Sequence, residues 1–353
     1  METQTILTAK HPATWAFSRR LNQASQLPIS QKFPSLISKT CIKCKRDEIR
    51  SNVPSKKMFI LGLGYVSQFF AQELKNQGWD ISGTCTSITK KKELEEKGFD
   101  THVFDACHPE WKILDILSCY THLLVSVPPI ENVGDPVLQH QDHLRSRLLR
   151  GNLQWLCYLS STSVYGDSKG AWVDEDFSPQ PSKNVGKMRL SAEEGWLKLG
   201  HDLGISPYVF RLGGIYGPGR SAIDTLLKKR HLSDSQKRRG SRNFTSRVHV
   251  ADICQALKAS ISADLHSEIY NVVDDDPAPR AEVFEFAQQL VNKRWPGLVT
   301  TNKSSIERTD PIGEEKRVLN ARMKNELGVK LVHPSYRSGL QSIIHHMPDP
   351  VSL

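Results

Sequence analysis

Two short segments of this 353-residue chain carry residue types at spacings able to do chemistry. The first is Gly62-Leu63-Gly64-Tyr65-Val66-Ser67. Gly62 permits a tight turn, Gly64 lets a backbone approach a pyrophosphate, and a helix opening there would supply amides and a positive dipole end. Ser67 takes the third small position in place of Gly or Ala and still allows close helix packing. All six residues are therefore assigned to a dinucleotide, against the plainer reading of an empty turn. The second segment is Ser160-Ser161-Thr162-Ser163-Val164-Tyr165-Gly166-Asp167, whose hydroxyls either meet a substrate or satisfy backbone groups at a strand end.

About twenty residues after the glycines, an Asp or Glu would ordinarily hold the adenosine ribose. This chain has Gly83-Thr84-Cys85-Thr86-Ser87, followed by Lys90, Lys91 and Lys92. No carboxylate is present to repel a 2′-phosphate, and Thr86, Ser87 and the lysines could receive one, so NADP is expected over NAD. The lysines also read as a solvated helix start.

The elements that must position these segments are legible as apolar runs. Residues 58–61 end in glycine, and Val66, Phe69, Phe70 and Leu74 follow at helical spacing. Residues 123–127 stop at Pro128-Pro129, and residues 155–159 lead into the serine cluster. Both read as central strands of a parallel sheet, apolar on both faces. Further on, residues 208–212 and 269–273 read as strands, and 250–262 and 281–291 as helices. The alternation predicts an α/β, doubly wound parallel sheet (Rossmann) with a smaller C-terminal substrate lobe. The expected division is a leader over 1–57, a dinucleotide-binding domain over 58–205, and the last sheet elements plus the lobe over 206–353.

Charge is distributed unevenly. Of the formal +9, residues 1–57 hold eleven Lys/Arg against three acids, leaving 36 against 35 in the rest. That leader is rich in Ser and Thr and lacks the apolar core of a secretory signal, so it reads as a transit peptide for the chloroplast stroma, with the mitochondrion as alternative. The competing reading is a basic tail of a cytosolic protein. No run approaches a membrane span. The near-neutral remainder argues against nucleic acid as a general partner. One local exception, residues 228–247, holds eight basic residues with Asp234. It is either a solvated loop or a lid over an anionic substrate. The seven cysteines are scattered, and Cys41 and Cys44 have no second pair at zinc spacing.

Taken in order, Gly62-Leu63-Gly64, Phe104-Asp105-Ala106, Ser126-Val127-Pro128-Pro129, the serine cluster, residues 210–220, residues 247–252, residues 270–274 and residues 320–328 resemble the extended short-chain dehydrogenase/reductases. The closer likeness is to their atypical, YeeZ-like branch, over roughly residues 58–340. The resemblance implies that Asp105 binds the adenine amino group, that Ser126 lies with the cofactor residues, and that Ser161 hydrogen-bonds the substrate oxygen. Asp105 also reads as a turn or cap.

A Tyr-x-x-x-Lys pair should follow. Counting back from Glu193 puts Val185 and Arg189 in its two places. Valine cannot shuttle a proton, whereas Arg189 could hold the nicotinamide ribose or stand as a fixed charge. Lys183, Lys187, Tyr216 and His249 are candidate replacements, and the ring of Tyr165 belongs to the fold. His249 has the range for proton transfer, although it reads more readily as a packing histidine beside a helix start. Tyr216 and Arg220 are assigned to substrate, with Arg220 able to clamp a phosphate or cap a loop. The implied function is an NAD(P)-dependent oxidoreductase or epimerase/dehydratase acting on a small anionic metabolite. The alternative is a non-catalytic NAD(P)-binding regulator or scaffold of the plastid. The resemblance also admits a homodimer.

Overall fold

The computed structural model describes residues 56–105, 111–228, 244–263, 267–298 and 314–349. Residues 1–55 of the expected 1–57 transit peptide, with Cys41 and Cys44, lie outside the described residues, as do Cys107 and residues 229–243 of the basic run, while Lys57 already belongs to the first strand.

In chain order the first half runs β1 (Lys57–Leu61), α1 (Tyr65–Asn76), β2 (Asp80–Cys85), α2 (Ile88–Glu96), β3 (Asp100–Val103), β4 (His122–Val125), α3 (Gln141–Leu148), β5 (Trp155–Ser161), β6 (Trp172–Val173) and α4 (Asn184–Asp202). The second half runs β7 (Tyr208–Leu212), β8 (Gly214–Tyr216), α5 (Ala222–Leu227), β9 (Arg247–His249), α6 (Val250–Ser262), β10 (Ile269–Val272), α7 (Arg280–Arg294), β11 (Arg317–Val318), α8 (Ala321–Glu326) and α9 (Tyr336–His346). Seven strands form one sheet in the order β3-β2-β1-β4-β5-β7-β10, each parallel to its neighbours. The strand order reverses between β1 and β4, the switch point at which such sheets bind ligands.

The sheet holds because successive residues of each strand feed opposite layers. Met58 and Ile60 pack with Phe70, Leu74, Ile253 and Leu257 of α1 and α6. Phe59 and Leu61 pack with Leu148, Ala192, Trp196 and Leu199 of α3 and α4. All of these are buried, and each full burial of a large apolar side chain contributes about 1.5–3 kcal/mol. A separate core of Ile223, Val283, Ala287, Tyr336 and Leu340 builds the lobe from α5, α7 and α9. Two short parallel ribbons, β8–β9 and β6–β11, join lobe to sheet.

The fold matches the doubly wound expectation, with small shifts at element ends. β4 stops at Val125 rather than 127, because Ser126 and Val127 turn away toward two prolines that cannot donate to a ladder. β5 runs on through Ser160 and Ser161, paired with Arg211 and Leu212 of β7. β7 and β10 lie beyond residue 205 and complete the sheet that β1 begins.

Candidate functional site

The fingerprint loop leaves β1 at the switch point. Gly62 adopts φ 93°, and its amide donates to Thr84 Oγ1 at 2.9 Å. A Cβ there would meet Val127 Cγ2 at 3.2 Å and the Ser126 carbonyl carbon at 3.4 Å, so the loops after β1 and β4 abut. Gly64, the residue before α1, is different: a Cβ on it would meet nothing within 4 Å. Open space at the head of a twelve-residue helix, reached through a glycine, fits a pyrophosphate. Val66 and Ser67 are buried and set the packing of α1, and the Ser67 hydroxyl has no hydrogen-bond partner among the described residues.

At the end of β2, Thr86 is exposed and Ser87 caps α2, accepting from the Lys90 amide at 3.2 Å. One lone pair of the Ser87 oxygen is thereby committed to the helix, and its proton remains free to donate to a ligand. Lys90 and Lys91 pair with Glu93 and Glu95 on the exposed face of α2. Such exposed pairs are screened by water, contribute little and break readily for a better anion. Asp105 is exposed just beyond β3, and Ser126 is half-buried, its amide donating to the Leu61 carbonyl at 2.9 Å.

The serine shelf stands on a buried ion pair. Ser160 Oγ donates to Glu193 Oε1 at 2.5 Å, and Arg211 meets the same carboxylate through Nε at 3.1 Å and Nη2 at 2.7 Å. Arg211 Nη1 also donates to the Tyr165 hydroxyl at 3.0 Å, which passes its own proton to Asn271 Oδ1 at 2.8 Å. Tyr165 is fully buried in this chain of bonds, so its ring does belong to the fold. Ser161 Oγ accepts from the Ser163 amide at 3.2 Å, which fills the backbone role and leaves its proton as a donor.

In the lobe, a cavity of about 590 Å³ is lined by Arg220, Lys228, Arg247 and Arg280, with Tyr216, Thr245, Phe284 and Tyr336 among its other walls. The carboxylate on its wall, Asp224, is spent in a reciprocal cap: it accepts from the Ser221 amide at 2.9 Å and the Ser221 hydroxyl at 2.5 Å. Arg247 is buried and held by the Thr245 and Ala278 carbonyls, both at 2.8 Å. The cavity wall is therefore strongly cationic.

With this geometry in place, the comparisons can be read. The model of the NAD dependent epimerase/dehydratase family matches residues 58–272. The chain belongs to that family. The Escherichia coli K12 protein YeeZ is 27% identical over 286 residues, covering 79% of this chain and 97% of its own length. A functionally unknown conserved protein from Silicibacter pomeroyi shares its structure at TM-score 0.66 and 32% identity, over 82% of this chain and 98% of that one. UDP-glucuronic acid 4-epimerase from Bacillus cereus, solved with NAD, has TM-score 0.62 at 17% identity, over 82% and 96%, a likeness of fold. These place the chain as an atypical extended short-chain dehydrogenase/reductase.

As a member of the epimerase/dehydratase family, the chain is expected to hold NAD, and the Gly62–Gly64 loop fits it. Val185 lies in the first turn of α4 and is 58% exposed. Arg189 Nη1 donates to the Leu159 carbonyl at 3.1 Å, which fixes its guanidinium against β5.

His249 needs correction as a proton donor. Its Nδ1 accepts from the Ala251 amide at 3.2 Å and caps α6, its ring packs on Tyr216 and His333, and burial lowers its pKa to about 4. It is a neutral, structural imidazole at ordinary pH. Lys183 lies beside Glu314 at 3.5 Å. Tyr216 and Arg220, the two residues assigned to substrate, both line the lobe cavity, and Tyr216 is buried and donates to the Ser335 carbonyl at 3.3 Å.

Sequence reasoning missed Arg280 and Phe284 as cavity residues, and it used Glu193 only as a ruler. The signal for the ion pair was Arg211 itself, a charge inside an apolar central strand that must have a buried partner. Among the described residues, no cluster of His, Cys, Asp and Glu could hold a metal, and no helix is long and apolar enough to cross a membrane.

Proposed function

We propose that this chain is an NAD(P)-dependent enzyme of the extended short-chain dehydrogenase/reductase type acting on a small anionic metabolite. The observation that carries the reading is the lobe cavity, which among the described residues has four cations on its wall and one carboxylate, consumed by a helix cap. A dinucleotide bound at the Gly62–Gly64 loop supplies a hydride donor or acceptor. Around it, Asp105 is assigned to the adenine, Ser161 offers its proton to a substrate oxygen, and Arg220, Lys228, Arg247 and Arg280 hold the anionic part of the substrate. The Bacillus cereus relative is an epimerase of a UDP-sugar acid, and a diphosphate is the kind of group that four cations would hold. NADP is preferred over NAD, supported by the lack of a carboxylate over residues 83–87 and by Lys90, Lys91 and Lys92.

Titrating the full chain with NADPH and NADH by nicotinamide fluorescence tests the cofactor; tighter NADH binding overturns the preference. Incubation with a pool of anionic metabolites and either redox form tests turnover, read as a change in cofactor oxidation state or as a cofactor-dependent product. The absence of both favours the second reading, a non-catalytic NAD(P)-binding regulator, for which the exposed Val185 in the place of the family's tyrosine is the specific support. The basic, Ser/Thr-rich leader supports residence in the plastid stroma, tested by import of a fluorescent fusion into isolated chloroplasts and mitochondria.

A further inference from the structure

The cofactor loop and the cationic cavity touch through one side chain. Tyr65 is the first residue of α1, next to the open space at Gly64, and its hydroxyl donates to the Pro218 carbonyl at 3.0 Å. Pro218 occupies the second position of the turn Gly217–Arg220, closed by the Arg220 amide donating to the Gly217 carbonyl at 3.0 Å, with Gly219 at φ 75°. Proline at the second position and a positive φ at the third define a type II turn. The Pro218 carbonyl takes no part in that closing bond and is available to Tyr65.

On the far side of the turn, the Arg220 guanidinium sits 5.4 Å above the Tyr65 ring, a cation–π contact, and Ser221 follows at once as the cap of α5. Arg220, Ser221 and α5 are cavity wall. The contact is built in: a Cβ on Gly217 would meet the Tyr65 hydroxyl at 2.5 Å and Val250 Cγ1 at 2.6 Å. Burial raises the Tyr65 pKa, so the phenol keeps the proton it donates.

We propose that Tyr65 is a positioning residue that couples the two sites, so that dinucleotide bound at the head of α1 tightens the hold of Arg220 on an anion in the lobe cavity. This rests on the reading of that cavity as an anion site. The sign follows from ordering. Arg220 is exposed with a long, rotamer-rich side chain, and whichever ligand fixes Tyr65 and the turn first removes that entropy cost for the second. The Arg220 guanidinium, a cavity-wall cation packed on the ring of Tyr65, would also offset repulsion between a bound dinucleotide and an anion in the cavity. Reciprocity requires each ligand to tighten the other by the same factor.

Isothermal titration of the full chain with UDP as probe, with and without saturating NADP⁺, tests this. The expected result is UDP binding at least about fivefold tighter with NADP⁺ present, matched by an equal gain for NADP⁺ with UDP present. Tyr65→Phe, which keeps the ring beneath Arg220 and removes the bond to Pro218, should bring the factor below about twofold. Gly217→Ala, which pushes the turn off Tyr65 from the other side, should do the same. A wild-type factor of one, or a factor unchanged in both variants, overturns the coupling. Arg280→Ala separates the two claims. If it weakens UDP while coupling is absent, the cavity stands and the coupling falls; if it leaves UDP affinity untouched, the cavity reading falls and takes the coupling with it.

Discussion

Glu193 and Arg211 give the sharpest test of how the serine shelf is held. Both side chains are almost fully buried, at 1% and 3% exposure, and the carboxylate receives three guanidinium contacts plus the Ser160 hydroxyl. Glu193→Ala strands a buried guanidinium, for which the cost is about 3–5 kcal/mol. It also leaves Ser160 without its acceptor, adding roughly 1 kcal/mol. At roughly 2–4 °C per kcal/mol for a chain of this size, the melting temperature should fall on the order of 10 °C.

The double variant Glu193→Leu with Arg211→Met removes both charges and fills the space, and Tyr165 retains its bond to Asn271. Since apolar replacement of a buried pair is often neutral, it should return to within about 2 kcal/mol of the parent. Urea unfolding followed by circular dichroism, arranged as a double-mutant cycle, reads the interaction directly. Additive losses, or a single variant costing under about 1 kcal/mol, would refute the idea that mutual charge satisfaction holds this shelf.

The two fingerprint glycines should respond in opposite ways. Gly64→Ala has φ −77° and open space, so stability should stay within about 1 kcal/mol while NADP⁺ affinity drops at least about tenfold, because the methyl occupies the pyrophosphate's approach. Gly62→Ala, at φ 93° against Val127, should cost about 1–2 kcal/mol of stability in the absence of any ligand. Thermal shift with and without cofactor tells them apart, and equal loss of stability in both contradicts the assignment. For pH, the folded pKa of His249 lies near 4 against an ordinary 6.5, so its contribution is intact above about 6.5 and is lost as pH falls toward 4. His249→Asn keeps a capping side chain without the titration, and its acid-unfolding midpoint by tryptophan fluorescence should move to lower pH.

The central strands were legible in the chain because a parallel strand buried on both faces leaves a continuous apolar run, as in β5 over residues 155–159. The ribbon β6–β11 was not, since Trp172 and Val173 pair with Arg317 and Val318 across more than a hundred residues and no local pattern announces it. Gly62 and Gly64 could be read because their task needs a missing side chain, which sequence states outright. Arg247 and Arg280 enter one cavity from a ribbon and a helix start, a convergence set by packing of the lobe rather than by spacing. The choice for His249 between proton donor and packing residue was not legible because it depends on which ring nitrogen faces the first turn of α6, a detail of backbone direction.

The space beside Gly217 is already filled by the hydroxyl of Tyr65 and by Cγ1 of Val250, and this limits how position 217 can change during descent. A side chain at 217 must displace both of these atoms, so shrinking the tyrosine alone does not make room for it. Change in the turn at 217 is therefore tied to the head of α1 and to the start of α6, and divergent copies of this gene that carry a side chain at 217 should also carry smaller residues at both 65 and 250.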